Sequence, residues 1–571
     1  MPAEMVARTR RSGLVSTFGV GALVPSQDDS FMICGLDDGW GRSESISEPR
    51  LAASLGVADF RLPPSSRHGE DVPAVRFPEW VFCPECRALG PHFEICVRKS
   101  RRCGKCSAGA IVSPSRFVAC CQNGHIEDFP YRAWAHQRAD ITHEGHGLRL
   151  VARGQSSALS DLVVTCSCGV SRSLDGAFGR SAFQGLKRCS GNRPWLGDKQ
   201  DDCSEDLRTL QRGSSNVWFA ETRSAISIPS VPNRADAFVQ SRLKDFDGEV
   251  ASEVLTAALK PPEGVTKEEL KAAIDRARGM DDGIALKSEQ DLRAEEYQAL
   301  VHGLDESSDD KLFKVEEVDL TGTDIPDKIA LVSAVERLRE VRALTGFSRV
   351  VPSMPDSESR PSPLVKNGRP TWLPAVEVLG EGVFVQLDRG LLDQWCDSEF
   401  ARERSEMLEK SKDRVGEHSL GRRVDISPQT LVLHTLAHVL IDEMALSAGY
   451  PAASLRERLY DGEGQAGILI YTATADSAGS LGGLAALSEA VRFSQTLESA
   501  IRRARWCTSD PVCAESQASG VDGLNLAACH ACVLLPETSC ERFNLTLDRA
   551  SLVGVPAQDR VGFFGDYAPR R

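Results

Sequence analysis

The distribution of cysteine constrains this chain more than any other feature of its sequence. There are 18 cysteines among 571 residues, and most of them fall between Cys83 and Cys203 or between Cys507 and Cys540. The segment between these clusters contains only Cys396. The N-terminal residues lack the apolar segment of a signal peptide, and no apolar run reaches about eighteen residues. We therefore expect a cytoplasmic protein without a membrane anchor, whose reduced thiols bind metal.

Two Cys-x-x-Cys pairs are the strongest metal-binding motif. Cys83 and Cys86 form the first pair, Cys103 and Cys106 form the second, and a short basic segment separates them. Four thiolates from two such pairs are typical of a structural zinc ribbon, whose closed tetrahedral coordination leaves no position for a substrate. A redox function of one Cys-x-x-Cys pair is the alternative, but it would explain only half of the motif.

A second group of four cysteines has looser spacing but recurs around turn residues. We expect it to bind a second zinc ion, with the ligands Cys166, Cys168, Cys189 and Cys203. The alternative is that one or two of these are ordinary buried thiols. Cys121 and His125, four residues apart, are further candidate ligands for which His143 or His146 would supply a partner. A packed or hydrogen-bonded His125 explains the same pattern.

The C-terminal cluster offers five cysteines for four ligand positions. We expect four of them to bind zinc, namely Cys513, Cys529, Cys532 and Cys540. Cys507 is the alternative if one of these four is not a ligand. Together, the three groups predict two to three structural Zn²⁺ ions in the chain.

His434 and His438 lie four residues apart in a nearly apolar segment that predicts a buried helix. Zinc proteases carry such a pair with a glutamate directly after the first histidine as the general base. Thr435 holds that place here, so we expect core or interface histidines. A zinc-dependent nuclease or hydrolase that uses His434 and His438 with Asp442 or Glu443 is the alternative.

Charge and missing motifs narrow the function further. The net charge of −14 argues against non-specific coating of DNA. Residues 87–106 are an exception with six basic residues against one acidic residue, so we expect DNA contacts from Arg98, Lys99, Arg101 and Arg102. A solvated loop is the alternative. The sequence contains neither a G-x-x-x-x-G-K-[ST] loop nor a G-x-S-x-G elbow, so we expect no enzyme activity.

Hydrophobic periodicity predicts a mixed α/β, multi-domain protein. It has zinc-ribbon-like modules in the N-terminal half, a helical middle and an α/β C-terminal domain with a zinc cluster. The expected divisions are a strand and turn segment, a double zinc module, an acidic helical region, an α/β connecting region and the C-terminal domain, at 1–80, 81–230, 231–330, 331–420 and 421–571. Within them we expect helices at 326–344, 399–418, 428–446 and 481–506, a strand pair broken near Gly380 and Gly382, and a buried strand at 467–474.

Several long segments resemble the DrmB family of the bacterial DISARM anti-phage system. Among them are RSGLVSTFGVGALV, FVACCQNGHIEDFPYRAWAH, WLPAVEVLGEGVF and HTLAHVLIDEMALSAGYPAASLRERLY. The C-terminal part, at about residues 420–552, also resembles the zinc-binding domain that follows the motor of MrfA-type helicases. There a cysteine cluster precedes an Asn and a Leu-Asp-Arg, which Cys529, Cys532, Cys540, Asn544 and Leu547–Arg549 match.

The resemblance implies a function that the residues alone do not. It implies a non-catalytic subunit that partners DrmA, a helicase-like ATPase, in a heterodimer that binds DNA for antiviral defence. Because the motor would be a separate chain, this chain must dock on it, and the glycine-rich segment at 470–484 is a candidate surface. The third possibility is a free-standing zinc-ribbon DNA-binding regulator.

Overall fold

The computed structural model describes residues 7–41, 43–65, 71–139, 141, 144–154, 156, 158–200, 202–228, 252–259, 261, 265–267, 270–271, 274, 288–303, 312–352, 361–414, 424, 426–472, 482–555 and 561–567. Over these ranges the chain forms 22 strands and 11 α-helices. The predicted mixed α/β fold class is therefore confirmed.

The strands are numbered here in chain order. They are β1 (Leu23–Pro25), β2 (Ser30–Ile33), β3 (Ser45–Ile46), β4 (Asp59–Arg61), β5 (Ala74–Arg76), β6 (Trp80–Phe82), β7 (Ala88–Pro91), β8 (Ser113–Pro114), β9 (Phe117–Cys120), β10 (Ile126–Asp128), β11 (Leu148–Ala152), β12 (Leu162–Cys166), β13 (Ser171–Ser173), β14 (Asn192–Arg193), β15 (Asp198–Lys199), β16 (Arg208–Gln211), β17 (Phe219–Ile226), β18 (Lys314–Glu317), β19 (Ile329–Ser348), β20 (Trp372–Leu387), β21 (Leu455–Tyr460) and β22 (Gly467–Thr472).

The helices are numbered in the same way. They are α1 (Gly13–Ser16), α2 (Pro49–Leu55), α3 (His92–Ile95), α4 (Tyr131–His136), α5 (Ser252–Ala258), α6 (Glu289–His302), α7 (Arg389–Cys396), α8 (Glu399–Arg414), α9 (Pro428–Ala448), α10 (Ala490–Ala504) and α11 (Arg549–Val553).

An eight-stranded sheet joins the N-terminal and C-terminal parts of the described chain. Its main order is β17-β19-β20-β22-β21, with β18 paired to β19 and the β3–β4 pair attached to β20. The 20-residue strand β19 reaches from one hydrophobic core to another. Val332 packs in the core around the C-terminal helices, whereas Phe347 at the other end packs in the core of the N-terminal strands. One strand is thus shared by both cores.

Strand β19 replaces the helix that periodicity predicts at 326–344, so this prediction is wrong. The pairing of β19 with β20 shifts register between Ile329 and Leu331 and again between Val335 and Leu338. Both faces of the strand are also largely covered. Register shifts interrupt the period of two, and burial on both faces removes polar alternation. The remaining apolar spacing therefore imitates that of a helix.

The predicted break at Gly380 and Gly382 is also wrong, because β20 runs through both glycines. A Cβ atom on Gly380 would lie 2.5 Å from the carbonyl oxygen of Thr472, and one on Gly382 would lie 2.5 Å from that of Ile470. The glycines therefore permit the close approach of strand β22 rather than a turn.

The small N-terminal sheets surround an aromatic core. One has the order β13-β12-β11-β7-β6-β8, the second has the order β10-β9-β16, and β14 and β15 form a two-stranded ribbon. Phe117, Phe129, Tyr131 and Trp134 pack in their shared core. Most cysteines of this region lie at the ends of these short strands, where the chain turns and thiols from different hairpins meet.

Helix α9 is the central helix of the C-terminal part. The Ser427 side chain caps its first turn by accepting a hydrogen bond from the Thr430 amide, and Gly449 ends it in a left-handed conformation. The helix is long and apolar enough to span a membrane, but 72% of its apolar window is buried within the protein. It packs against β21, β22, α10 and α11. The predicted buried helix is confirmed.

The other C-terminal elements agree with the predictions in type. The charged helix corresponds to α8, and the apolar strand corresponds to β22. The long predicted helix at 481–506 is shorter, because α10 begins only at Ala490 after a 3-10 turn. Residues 415–418 and 473–481 lie outside the described residues, so most of the candidate docking segment does too.

Candidate metal centres

Five groups of four side chains bring their possible ligand atoms within 4.8 Å of one another in the described part of the chain. They are site 1 (Cys83, Cys86, Cys103, Cys106), site 2 (Cys121, His125, Cys189, Cys203), site 3 (His136, His146, Cys166, Cys168), site 4 (Cys507, Cys513, Cys529, Cys532) and site 5 (His434, His438, Glu457, Cys540).

Site 1 brings together the four cysteines that the sequence predicts. Cys83 and Cys86 lie in the turn of the β6–β7 hairpin, and the second pair precedes β8. The Sγ atoms of Cys83 and Cys106 are 4.0 Å apart, and those of Cys86 and Cys103 are 3.7 Å apart. A tetrahedral zinc ion with Zn–S bonds of about 2.3 Å requires a separation of roughly 3.8 Å between thiolates. The geometry therefore fits zinc.

Site 2 combines the ends of two hairpins. Cys121 and His125 lie in the β9–β10 turn, whereas Cys189 and Cys203 lie on either side of the β14–β15 ribbon. His125 Nδ1 is 3.4 Å from the Sγ of Cys121 and 3.6 Å from that of Cys189. His125 Nε2 is 3.2 Å from the side-chain oxygen of Gln200. A hydrogen bond to Gln200 places the ring proton on Nε2 and leaves Nδ1 free for metal.

The thiols of site 2 differ in acidity. A hydrogen bond with Cys121 and contacts with His125 lower the pKa of Cys189 to about 4. The hydrogen bond with Cys189, together with burial, raises the pKa of Cys121. The pKa of Cys203 is also raised by burial, so Cys121 and Cys203 lose their protons when they bind a metal ion.

Site 3 contains two histidines and two cysteines. His136 ends α4, and its Nδ1 donates to the Arg132 carbonyl at 2.9 Å, which leaves Nε2 facing Cys168 Sγ at 3.3 Å. His146 Nδ1 is 3.4 Å from Cys166 Sγ at the end of β12. Sequence reasoning missed His136, which has no cysteine near it in the chain.

The structure divides the predicted group of Cys166, Cys168, Cys189 and Cys203 between sites 2 and 3. The reason is strand pairing. Strand β16, after Cys203, pairs with β9, whereas β12, which ends at Cys166, pairs with β11 and β13. His143 lies outside the described residues.

Site 4 selects Cys507 rather than Cys540 as its fourth member. Cys507 Sγ is 3.4 Å from Cys529 Sγ, and Cys513 Sγ is 3.7 Å from Cys532 Sγ. The backbone amides of Ser509 and Ala531 donate hydrogen bonds to the sulfur atoms of Cys507 and Cys529. The predicted set with Cys540 is therefore not the set that the structure brings together.

Cys540 instead belongs to site 5 in the protein core. Both histidines extend from α9 toward Glu457 on β21. His434 Nε2 is 3.2 Å from Glu457 Oε1 and 3.2 Å from Cys540 Sγ, and His438 Nε2 is 3.6 Å from Glu457 Oε2. Sequence reasoning missed Glu457, because it stands between Arg456 and Arg458 and so looks like part of a charged segment.

The acidic residues of the hydrolase alternative lie elsewhere. Asp442 and Glu443 both pair with Arg503 of α10. The carboxylate that faces His434 and His438 belongs to Glu457, and the side chains of all three are completely buried.

The predicted DNA-contacting residues lie on a short antiparallel arm beside site 1. Cys96 and Cys103 pair across its base. Arg98 and Lys99 are exposed near its tip, and Arg102 is exposed on the returning strand. Arg101 differs because it forms an ion pair with Asp28 at 3.2 Å.

The fold and the cysteine-rich groups define a mixed α/β protein with a zinc-binding C-terminal domain. The family described as MrfA Zn-binding domain matches residues 436–533, and this range contains all of site 4. A domain of unknown function (DUF8724) matches residues 10–219, which include sites 1 to 3.

A curated relative matches most of the chain. It is 32% identical over 546 residues to the DISARM protein DrmB of Bacillus paralicheniformis (strain ATCC 9945a / NCIMB 11709 / CD-2), across 90% of this chain and 94% of the relative. The chain therefore belongs to the DrmB family of DISARM proteins. The resemblance expected from the sequence segments is confirmed.

Proposed function

We propose that this chain is a non-catalytic, zinc-stabilised subunit of a bacterial DISARM complex, in which it partners a helicase-like ATPase of the DrmA type and helps to bind phage DNA in the cytoplasm. The observation that carries the proposal is the combination of a DrmB relative across 90% of the chain with ligand sets that each supply four protein donors. Four protein donors fill the tetrahedral positions of a structural zinc ion.

We assign zinc to sites 1 to 4. The thiolate separations at sites 1 and 4 fit tetrahedral zinc, and the free imidazole nitrogens of sites 2 and 3 point toward their cysteines. The zinc ions then tie together short strands at the edge of the aromatic core. Their function is to hold the N-terminal hairpins and the C-terminal loops in place rather than to activate water.

We propose a non-catalytic subunit because a nucleotide-binding motif is missing and because substrate has no access to the histidine pair. The sequence has no phosphate-binding loop for ATP. The histidine pair that invites a hydrolytic interpretation has 0% exposure at both residues. A metal-bound water needs an open coordination position and a path for substrate, and His434 and His438 face a buried carboxylate and a buried thiol instead.

A docking surface for the motor subunit fits the region around site 4. Trp506 is 64% exposed and Val512 is 79% exposed, and each directly precedes a cysteine of this site. Contiguous exposed apolar patches mark interaction surfaces, and these two residues flank the same metal site. We propose that they contact the helicase-like subunit.

The pure chain is expected to have no ATPase, nuclease or helicase activity, and to form a stable complex with the helicase-like subunit when the two are co-expressed. A Trp506→Glu/Val512→Glu variant is expected to lose most of this co-purification, because burying two new carboxylates in an apolar interface is costly. A variant with Phe93→Glu, exposed beside site 1, is the control.

ATP hydrolysis or DNA cleavage by the chain alone that Glu457→Gln abolishes would instead establish the hydrolase alternative. Tight DNA binding by the chain alone, without any effect of the motor subunit, would support the free-standing regulator.

Charge reversal on the basic arm is expected to weaken DNA binding by the complex. The net charge of −14 leaves local basic surfaces as the places for phosphate contacts. The Arg98→Glu/Lys99→Glu variant should lower affinity about tenfold or more and reduce the slope of log K against log salt by about 1 per lost contact. Fluorescence anisotropy over a salt series measures both quantities.

The matched control for the arm is Lys366→Glu/Lys410→Glu, which changes the charge equally at two exposed positions outside the arm. Equal affinities and equal salt slopes for the two variants would show that the arm is a solvated loop. Arg101→Glu should have the smaller effect among the arm residues, because Asp28 already pairs with it.

A further inference from the structure

Site 5 is unlike the other four groups in its depth and its donor set. His434 and His438 are 0% exposed, Glu457 is 1% exposed and Cys540 is 5% exposed. Its ligand atoms come from helix α9, strand β21 and the loop that leads to α11. The zinc-binding family match at 436–533 contains only His438 and Glu457 of the four.

The ring protons of both histidines lie on the side away from the centre of site 5. His438 Nδ1 is 2.9 Å from the Val533 carbonyl, which can only accept, so Nδ1 carries the proton. In the neutral ring, Nε2 then presents a lone pair to Glu457 Oε2 at 3.6 Å. Neither of these two atoms has a hydrogen-bond partner within the described structure.

His434 has the same orientation. Thr546 Oγ1 donates its proton to the Leu545 carbonyl at 2.5 Å and therefore accepts from His434 Nδ1, 3.5 Å away. The Nε2 of His434 consequently presents its lone pair to Glu457 Oε1 and Cys540 Sγ. Several acceptor atoms thus converge in a dry core, where unpaired acceptors are costly unless a cation lies between them.

The backbone around Cys540 has the form of a metal-binding turn. The amides of Arg542 and Asn544 donate hydrogen bonds to its sulfur at 3.3 and 3.2 Å. In sites 1, 2 and 4 as well, cysteine sulfurs accept a hydrogen bond from the backbone amide two residues later. These cysteines are Cys103, Cys189, Cys507 and Cys529. Cys540 therefore shares its backbone turn with the other candidate ligands. Hydrogen bonds of this kind stabilise a thiolate.

We propose that site 5 binds a fifth divalent transition-metal ion, of the zinc class, through His434 Nε2, His438 Nε2, a Glu457 carboxylate oxygen and Cys540 Sγ. Two neutral imidazoles, one carboxylate and one thiolate balance the double positive charge of the ion, so the buried centre is neutral. Mixed nitrogen, oxygen and sulfur ligands suit zinc among the common divalent ions. The ion would lock α9, β21 and the C-terminal loop together, which extends the proposed structural use of zinc into the core.

Anomalous diffraction from crystals of the unmodified full chain, recorded on both sides of the zinc absorption edge, tests the proposal without any substitution. The expected result is a peak enclosed by the four atoms, together with about five zinc equivalents per chain by elemental analysis. Peaks at sites 1 to 4 with none at site 5 would overturn it, and would show a metal-free network of His434, Glu457 and Cys540.

Substitutions provide the second measurement. Glu457→Gln and Cys540→Ser are each expected to lower the zinc content by about one equivalent and to leave zinc at site 4. Cys396→Ser, a half-buried cysteine outside all five groups, is the control and should retain the full content. Soluble Glu457→Gln and Cys540→Ser proteins with unchanged zinc content would contradict the proposal, and the diffraction experiment decides if neither folds.

Discussion

Removal of zinc from the full chain is expected to unfold the region that carries sites 1 to 3. Structural zinc in small domains contributes about 10–16 kcal/mol of binding free energy, which equals or exceeds the whole stability of a typical domain of about 5–15 kcal/mol. The strands here are short, with two to five residues in β6 to β16, so we expect the metal to contribute much of the stability of their pairing. Chelation should therefore expose this region to proteases while zinc is released.

The corresponding single substitution is Cys86→Ser, which removes one ligand of site 1. We expect insoluble protein, or soluble protein that a protease cleaves rapidly within residues 81–115. The matched control is Cys96→Ser, since Cys96 lies in the same arm but outside every ligand group. Limited proteolysis with mass spectrometry locates the cleavage. Equal resistance of Cys86→Ser and Cys96→Ser would mean that these thiols are ordinary core residues.

The second large effect is expected at Arg349, which has 0% exposure. Its guanidinium donates to the carbonyls of Gly124, Val217 and Gly21 at 2.8, 2.6 and 2.8 Å. Burial lowers the pKa of Arg349 to about 10, so the side chain still carries its charge at neutral pH. One side chain therefore fixes three backbone segments that are distant in sequence.

Arg349→Met is expected to destabilise the chain by about 3–9 kcal/mol, because each of the three buried carbonyls left without a donor costs about 1–3 kcal/mol. Thermal and urea denaturation of the full chain measure the loss. Arg349→Lys should restore only part of it, since an ammonium group lacks the planar spread of donors that reaches three carbonyls. The surface control is Arg369→Met, at an exposed position. If Arg349→Met lowered the free energy of unfolding as little as this control does, Arg349 would not be structurally important.

The sequence predicts site 1 because its ligands occur in two tight pairs, whose geometry depends on the local turns alone. Sites 2 and 3 depend on which strands pair. Cys121 meets Cys203 because β9 pairs with β16, and no spacing in the sequence reveals that pairing. Cys540 does not complete site 4, because its sulfur lies against His434 in the group that also holds His438 and Glu457. Local spacing identifies ligand residues, whereas long-range pairing decides their grouping.

Fold prediction succeeds and fails for related physical reasons. Helices α8 and α9 have clear signals, with charged residues on the first and a capping serine and a terminal glycine on the second. Strand β19 is misleading because its two register shifts and its double-sided burial imitate a helical period. The glycines of β20 look like turn residues, but they are needed because the backbone of a neighbouring strand lies too close for a side chain. Tertiary contacts overrule local pattern at each of these positions.

Strand β19 also sets an order of events during synthesis on the ribosome. Strand β17, at residues 219–226, pairs with β19, and the N-terminal core needs Phe347 from its far end. The N-terminal strands therefore leave the ribosome before their partner exists. The eight-stranded sheet must wait until residue 348 has emerged, whereas the cysteine-bearing hairpins belong to sheets that lack β19 and end by Gln211. Metal capture by these thiols can precede sheet completion, so zinc supply during translation should control how much of the chain reaches its native state.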